Sequence, residues 1–245
     1  MYLLKYTLVD ILFLFKKRKN NYLLDHSNIS ENFYKKHLKD FYRKEESIKK
    51  IFSKHKFFAY TNLSEEKEFI ISLINKEFPN FEKKVLREAN KILNKQFKIF
   101  EKDYQFENDI LWNYSFFKSI FWPSLHVSNI NIHDLKDTAD LKYNWEFNKH
   151  SFLVTLGLAY YFTGEEKYSK KIIELLLDWV TKNPPRYNLC WLNALEISLM
   201  LIPWLFSLFF IKDSKFLTQP IFYRIFKSMF QQAYFINVNI ERFSY

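Results

Sequence analysis

The clearest hydrophobic periodicity lies between residues 140 and 211, where apolar side chains recur at helical spacing. It predicts three consecutive helices joined by short turns. The first covers residues 143–162 and ends before Gly164. The second covers residues 165–182, with glutamates at its start and a lysine at its end, as the helix dipole favours. The third covers residues 191–210 and is apolar on almost every side.

Two polar residues of the third helix, Asn193 and Glu196, stand one turn apart on a single line. Met200 continues that line toward the end of the helix. An unpaired buried carboxylate costs several kcal/mol, so Glu196 is expected to face a polar partner or a water-filled cavity. Pro203 lacks a backbone N–H, and its ring predicts a kink over residues 199–203.

The pattern divides the chain into three regions. Residues 1–95 predict an N-terminal helical region, and residues 140–245 hold the central helices. Residues 96–139 lose the helical period and crowd aromatic side chains, which predicts an extended connecting segment. Rings in such a cluster belong to a core more often than to a sugar-stacking surface.

Outside the central stretch, further helices are predicted at both ends of the chain. A lysine-rich surface helix is expected over residues 28–56. A capping pattern at Ser64 opens a helix to residue 78, and a second helix over 79–94 makes an antiparallel pair with it. A last helix is expected over residues 220–245, with a broad apolar face and no capping signal after it.

Composition favours an all-α fold with a large core. The chain has 245 residues, of which 48% are hydrophobic and 20% aromatic, so a core can be buried. Only two glycines occur, Gly157 and Gly164. This excludes glycine-rich phosphate loops, nucleophile elbows and folds rich in β-hairpins.

The formal net charge of +10 raises the potential for an anionic partner, such as a polyuronate, a nucleic acid or a lipid surface. Lysine is also the default residue of a solvated helix face, so the charge alone does not assign a function. Cys190 is the only cysteine, and the six histidines lack metal-ligand spacing. No metal or other cofactor is predicted. His150 either lines a cleft or is a hydrogen-bonded core or surface histidine.

Two stretches could in principle contact a membrane. The first fifteen residues are apolar apart from Lys5 and Asp10, and basic residues follow them. This order does not fit a secretory signal and predicts an amphipathic helix, docked on the domain or lying on a membrane surface. Residues 189–211 are long enough to span a bilayer, but Asn193, Glu196 and Pro203 argue against a span. The compartment stays open.

Four spaced motifs carry a family resemblance: WEFNKH (145–150), YFTGEEKYS (161–169), DWVTKNPP (178–185) and CWLNALEISLMLIPW (190–204). In this order they resemble the helical N-terminal domain of the heparinase II/III family. The family's proteins share a toroid of antiparallel helix pairs followed by a β-sandwich, and many are lyases that cleave uronic-acid polysaccharides. The resemblance implies an incomplete (α/α) toroid here, with an acidic polysaccharide as partner and no nucleic acid.

The resemblance also implies a substrate-binding set on the first and third central helices. The chain departs from the family pattern at Lys149 and Met200, where arginine is usual. Without an arginine at position 200, Glu196 depends on a partner from another helix, for which Lys149 is the candidate. The implied substrate-binding residues are Trp145, Glu146, Asn148, Lys149, Trp191, Asn193 and Glu196.

β-Elimination at a uronate needs a group that neutralises the carboxylate, a base for the C5 proton and an acid for the leaving oxygen. In the resembling lyases an Asn-His pair, a tyrosine and further histidines supply these roles, and this sequence has no Asn-His dipeptide. The catalytic residues are therefore unknown, and we expect an inactive fragment or shortened relative that stops before the active site. The alternatives are a non-catalytic helical glycan-binding module and a membrane-associated helical protein.

Overall fold

The computed structural model describes residues 66–116, 121–122, 124–131 and 138–239, and this part is helical with one two-stranded sheet. The predicted all-α class is confirmed, while the toroid and the three-region division stay predictions. The helices are α1 (Lys67–Glu77), α2 (Phe81–Leu93), α3 (Thr138–Asn148), α4 (Phe152–Thr163), α5 (Glu166–Lys182), α6 (Ala194–Phe210) and α7 (Gln219–Asn239); the strands are β1 (Gln96–Ile99) and β2 (Lys102–Gln105), and short 3-10 helices cover Val127–Asn129 and Leu189–Trp191.

The first central helix differs from its prediction. A single helix over residues 143–162 was expected, but α3 ends at Asn148 and α4 begins at Phe152. The break is at His150, whose φ of 59° lies in the left-handed region that an α-helix does not use. Apolar periodicity continues across the break because α3 and α4 both contribute to one core. The pattern of apolar residues therefore does not reveal the break at His150.

The second and third central helices are close to their predictions. α5 spans Glu166–Lys182, and its C-cap residue Asn183 lies directly before the two prolines. α6 begins at Ala194 rather than at Trp191, because Trp191 belongs to a preceding 3-10 turn. The side chain of Asn193 caps α6 by accepting a hydrogen bond from the Glu196 backbone N–H at 2.8 Å. Pro203 lies buried inside α6, and the predicted kink there stays a prediction.

The predicted pair over residues 64–78 and 79–94 corresponds to α1 and α2, although Ser64 lies outside the described residues. The helix predicted over residues 28–56 and the amphipathic segment over residues 1–15 lie outside them as well. α7 accounts for the described part of the predicted last helix. α1 buries none of its residues, whereas α2 buries an apolar stripe.

The connecting segment contains a β-hairpin that the sequence pattern did not predict. β1 and β2 pair antiparallel with Gln96 opposite Gln105. The turn between them has no glycine, and Phe100 adopts a left-handed φ of 52° instead. The ring of Phe100 packs edge-on against Tyr143 of α3, with ring centroids 4.8 Å apart. This contact stabilises the left-handed backbone conformation of Phe100, which the pattern of apolar residues does not indicate.

A single main core joins α2, the hairpin and α3 to α7. α4 packs against α2, α5 and α6. At its contact with α6 a Cβ on Gly157 would lie 2.8 Å from Phe210 Cδ2, so the close approach depends on glycine. In the aromatic cluster of the connecting segment Phe97, Phe106 and Trp112 are buried, whereas Phe100 and Phe121 are 47% and 63% exposed. No helix among the described residues is long and apolar enough to cross a membrane.

Candidate functional site

The end of α3 and the start of α6 meet through the 3-10 turn Leu189–Trp191. Trp145 fixes this junction, because its indole Nε1 donates a hydrogen bond to the Leu189 carbonyl at 3.1 Å. Its ring packs against a small second core cluster that includes Trp122 and Leu141. The two segments that carry most of the expected site residues are therefore neighbours in the fold.

A half-exposed ion pair lies at this junction. Lys149 Nζ donates to Glu146 Oε2 at 2.7 Å, and the two side chains keep 31% and 28% of their surface accessible. Glu146 belongs to the last turn of α3 and Lys149 directly follows the helix, where its N–H still donates to the Trp145 carbonyl at 3.0 Å. Their separation of three positions places them on the same helix face.

Glu196 lies near this pair and is only half buried, yet its Oε2 atom is buried without a hydrogen-bond partner among the described residues. Burial raises the pKa of the Glu196 carboxyl, the Lys149 charge lowers it, and the Glu146 charge raises it. The three groups therefore form one electrostatic unit, which we call the Glu146–Lys149–Glu196 cluster. Lys149 makes its ion pair with Glu146, and it acts on Glu196 only through its charge.

Two residues of the expected set lie in the core. Asn148 is buried: its Nδ2 donates to the Trp112 and Asn144 carbonyls, and its Oδ1 accepts a hydrogen bond from Trp179 Nε1 at 3.0 Å. Trp191 is 1% exposed, and its Nε1 donates to the Asn183 carbonyl at 3.4 Å. The buried hydrogen bonds of Asn148 and Trp191 stabilise the junction from the core side.

Met200 also points into the core and is almost completely buried. The line through Glu196 and Met200 therefore leads from the cluster into apolar surroundings. An arginine at position 200 would need a desolvated partner there. In this chain the charged surface of α6 ends at Glu196.

His150 resolves as a core histidine. It is fully buried, and its Nδ1 accepts a hydrogen bond from Trp204 Nε1 at 2.8 Å. The rings of Trp112 and Trp179 contact it edge-on, with centroids 5.0 and 5.7 Å away. Burial lowers the pKa of His150 to about 3, so the imidazole is neutral at physiological pH. It is neither exposed nor charged, and it does not serve the cluster as a proton donor.

A polar framework behind the cluster was not predicted from the sequence. Asn144 Nδ2 donates to the Trp112 carbonyl at 2.8 Å, and Trp112 Nε1 donates to Asp178 Oδ2 at 2.8 Å. Asp178 also pairs with Lys182 at 2.9 Å. The spacing of Asn144 and Asn148, one helical turn apart among apolar residues, is the signal that could have indicated it. This framework ties α3 to the connecting segment and to α5.

The cluster has groups that could bind a ligand. Two carboxyl groups and one ammonium group can exchange hydrogen bonds and charge with a ligand. Within the described ranges, no group of three or more His, Cys, Asp or Glu side chains could hold a metal ion. A separate cavity of about 480 Å³ lies beside β2, where the half-buried rings of Tyr104, Tyr114 and Phe116 line it.

Fold and cluster together define a mostly helical structure with a solvent-accessible charged cluster where two helices meet. The chain belongs to the heparinase II/III family, because the family model described as "Heparinase II/III N-terminus" matches residues 24–243. At the level of the family this places it among polysaccharide-lyase-related proteins.

A curated relative with local similarity is a heparin-sulfate lyase from Bacteroides stercoris. It is 25% identical over 85 residues, a stretch that covers 35% of this chain and 10% of that protein. The chain thus spans only a small part of this relative. No solved structure matches the chain.

Proposed function

We propose that these helices form the substrate-binding part of a heparinase II/III-like polysaccharide lyase, whose full-length form cleaves uronic-acid glycans by β-elimination. The observation that carries the proposal is the position of Lys149: a half-exposed ammonium group fixed by Glu146 and next to Glu196. The family match supports the class of ligand.

Lys149 is the group that meets the anionic ligand. A carboxylate or sulfate that approaches Nζ competes with Glu146 for its protons, and the charge-assisted hydrogen bond offsets that competition. Glu196 opposes the ligand when it is ionised. Burial raises the pKa of Glu196, so this opposition weakens as the pH falls and the carboxyl takes up a proton.

Catalysis by this chain alone is not expected. β-Elimination requires a base and a group that neutralises the substrate carboxylate. The Asn-His dipeptide of the resembling lyases is absent from the sequence, and His150 is buried and neutral. The chain should bind an acidic glycan and release no unsaturated product. Turnover by the purified chain, seen as a rise in ultraviolet absorbance, would refute this part of the proposal.

A non-catalytic glycan-binding module is the second candidate. The packing of Met200 favours it, because the substrate side of α6 then carries one charged residue where the family pattern carries two. Both candidates need Lys149 for binding. They differ in whether the full-length protein cleaves the glycan that it binds.

The test is an affinity measurement with heparin and with alginate by isothermal titration calorimetry. Lys149→Met should weaken binding by roughly fivefold, which corresponds to about 1 kcal/mol for a half-exposed ion contact. Lys142→Met is the matched control, since Lys142 is an exposed residue of the same helix and carries the same charge. Equal losses in the two variants would show that net charge, and not the cluster, determines binding.

A further inference from the structure

An open groove of about 840 Å³ lies at the turn between α1 and α2. It is formed by residues outside the Glu146–Lys149–Glu196 cluster, and neither the family match nor the sequence motifs assign it a role. Its lining combines aromatic and basic side chains: Glu77, Phe78, Pro79, Asn80, Phe81, Lys83, Lys84 and Arg87.

The basic side of the groove follows from the amphipathic pattern of α2. Val85, Ala89 and Ile92 form the buried stripe of this helix. Lys83 and Arg87 are one turn apart and lie on the opposite face. α2 therefore has to present these charges to solvent, whatever else the groove does.

These cations are only weakly neutralised. Among the described residues, neither Lys83 nor Lys84 has an ion pair. Arg87 contacts Glu88 through Nε at 3.2 Å, which leaves its terminal nitrogens for another acceptor. Glu77 is the only acid of the lining, and it pairs with Lys76 at 3.9 Å. The groove therefore carries a net positive charge.

Two phenylalanines lie beside the charges and keep part of their surface exposed, although the ring of Phe81 also packs edge-on against Phe162. Phe78 is 64% exposed and Phe81 is 38% exposed. Each stays in water although burial of apolar surface is favourable, so a partner that covers the rings is stabilised by the hydrophobic effect. Rings next to cations suit a ligand with both apolar faces and anionic groups. A sugar ring with a carboxylate or sulfate substituent has both.

We propose that this groove is a second anchoring site for the acidic polysaccharide, separate from the Glu146–Lys149–Glu196 cluster. The identity of the ligand rests on the proposed function, while the location rests on the charge and the exposed rings of the groove. Phe78 and Phe81 stack against sugar faces, and Lys83, Lys84 and Arg87 bind the anionic substituents. A polymer that occupies both sites dissociates more slowly than one held at the cluster alone.

The experiment compares two double variants of the full 245-residue chain that remove the same charge. Lys83→Ser with Lys84→Ser changes the groove, and Lys98→Ser with Lys102→Ser changes the exposed surface of the hairpin. On long heparin chains the groove variant should lose about tenfold in affinity and show a shallower salt dependence, whereas the hairpin variant should lose less than about twofold. Equal losses would overturn the proposal.

Two further measurements separate this proposal from the proposed function. Phe78→Ser leaves every charge in place and should still weaken heparin binding about threefold, and an unchanged affinity would remove the rings from the site. Lys149→Met tests the cluster independently: if it has no effect on heparin binding while the groove variant does, the role of the cluster in the proposed function fails, and binding of the acidic polysaccharide at the groove stands on its own measurement. Vesicles with anionic lipid should not bind through the groove. Vesicle binding that the groove variant abolishes, with heparin affinity intact, would assign the groove to a membrane surface.

Discussion

Because His150 is buried in its neutral form, we predict that the folded protein loses stability in mild acid, where the histidine of the unfolded chain takes up a proton. Replacing His150 should remove this part of the acid sensitivity. The pKa of His150 is about 3 in the folded chain because of burial, against about 6.5 in an unfolded chain. The unfolded state therefore binds the proton first. The stabilising contribution is complete above pH 6.5 and is lost as the pH falls from 6.5 toward 3.

The size of the effect follows from these two values. pH 4.5 lies about two units below the pKa of the histidine in the unfolded chain, so protonation of the unfolded state lowers the free energy of unfolding by about 2.7 kcal/mol. For a chain of this length 1 kcal/mol shifts Tm by about 2–4 °C, so the histidine accounts for roughly 5–11 °C between pH 7.5 and pH 4.5. Carboxylates add their own acid sensitivity, and a variant is needed to isolate the histidine.

His150→Asn is the informative variant, because asparagine tolerates the left-handed φ at this position and does not titrate. It loses the aromatic packing, so at pH 7.5 it should be less stable than the parent by about 2–3 kcal/mol. At pH 4.5 the difference should nearly vanish. Thermal unfolding followed by circular dichroism at both pH values measures it.

Trp204→Phe is the control for the packing effect. It removes the hydrogen bond to His150 Nδ1 but leaves the histidine buried, so it should be destabilised at both pH values and keep most of the acid sensitivity. If the stability gap between the parent and His150→Asn is the same at pH 7.5 and pH 4.5, then His150 is not buried in its neutral form and the reasoning is wrong.

Three further predictions test other contacts. Glu196→Gln should raise Tm by about 2–4 °C at pH 7.5, since it removes a partly buried negative charge whose Oε2 has no hydrogen-bond partner among the described residues; the gain corresponds to about 1 kcal/mol. Burial raises the pKa of the Glu196 carboxyl, so the gain should disappear in acid, where the parent's carboxyl is uncharged like the glutamine. Equal Tm values of the parent and the variant at pH 7.5 would contradict this prediction. Gly157→Ala should cost about 1–3 kcal/mol in urea unfolding because of the clash with Phe210, and unchanged stability would show that the helices can move apart. Burial raises the pKa of the Cys190 thiol, so it should react with a disulfide reagent only in denaturant, and fast labelling of the native chain would refute this.

Helices whose ends carry strong local signals were predictable from the sequence. α5 has glutamates at its start, a lysine in its last turn and two prolines directly after Asn183, and its predicted and observed bounds agree within one residue. α6 was predicted three residues too early. Its true start is set by the Asn193 cap, and the apolar Leu189–Trp191 turn before it has the same hydrophobicity as the helix.

The hairpin and the break at His150 were not predictable by the same reasoning. Both depend on left-handed backbone conformations at residues other than glycine, Phe100 and His150. Local propensity disfavours such conformations, and here distant packing stabilises them: Tyr143 against Phe100, and three tryptophans around His150. A pattern of apolar positions reports that a residue is buried but not the backbone turn that buries it.

The structure brings the charged residues of the expected set together and buries two of its polar and aromatic residues. Glu146, Lys149 and Glu196 come together because each is a charge on a mostly buried helix, and such charges must share an accessible surface. Asn148 and Trp191 belong to the same motifs but are buried. A side chain that forms hydrogen bonds without a charge can be satisfied in a core, so its presence in a motif does not show which way it faces.

The break in the helix also links stability to the proposed binding of glycan at Lys149. Lys149 and His150 are consecutive, and the left-handed turn sends the imidazole into the aromatic core while the ammonium group stays at the surface beside Glu146. In a continuous helix the side chains of Lys149 and His150 would be only about 100° apart around the axis. The left-handed turn directs them further apart, so that one is fully buried and the other is half-exposed. Protonation of His150 destabilises the same turn that positions Lys149. Binding of an acidic glycan at Lys149 should therefore weaken when acid unfolds this turn, even for a sulfated ligand whose own charge does not change.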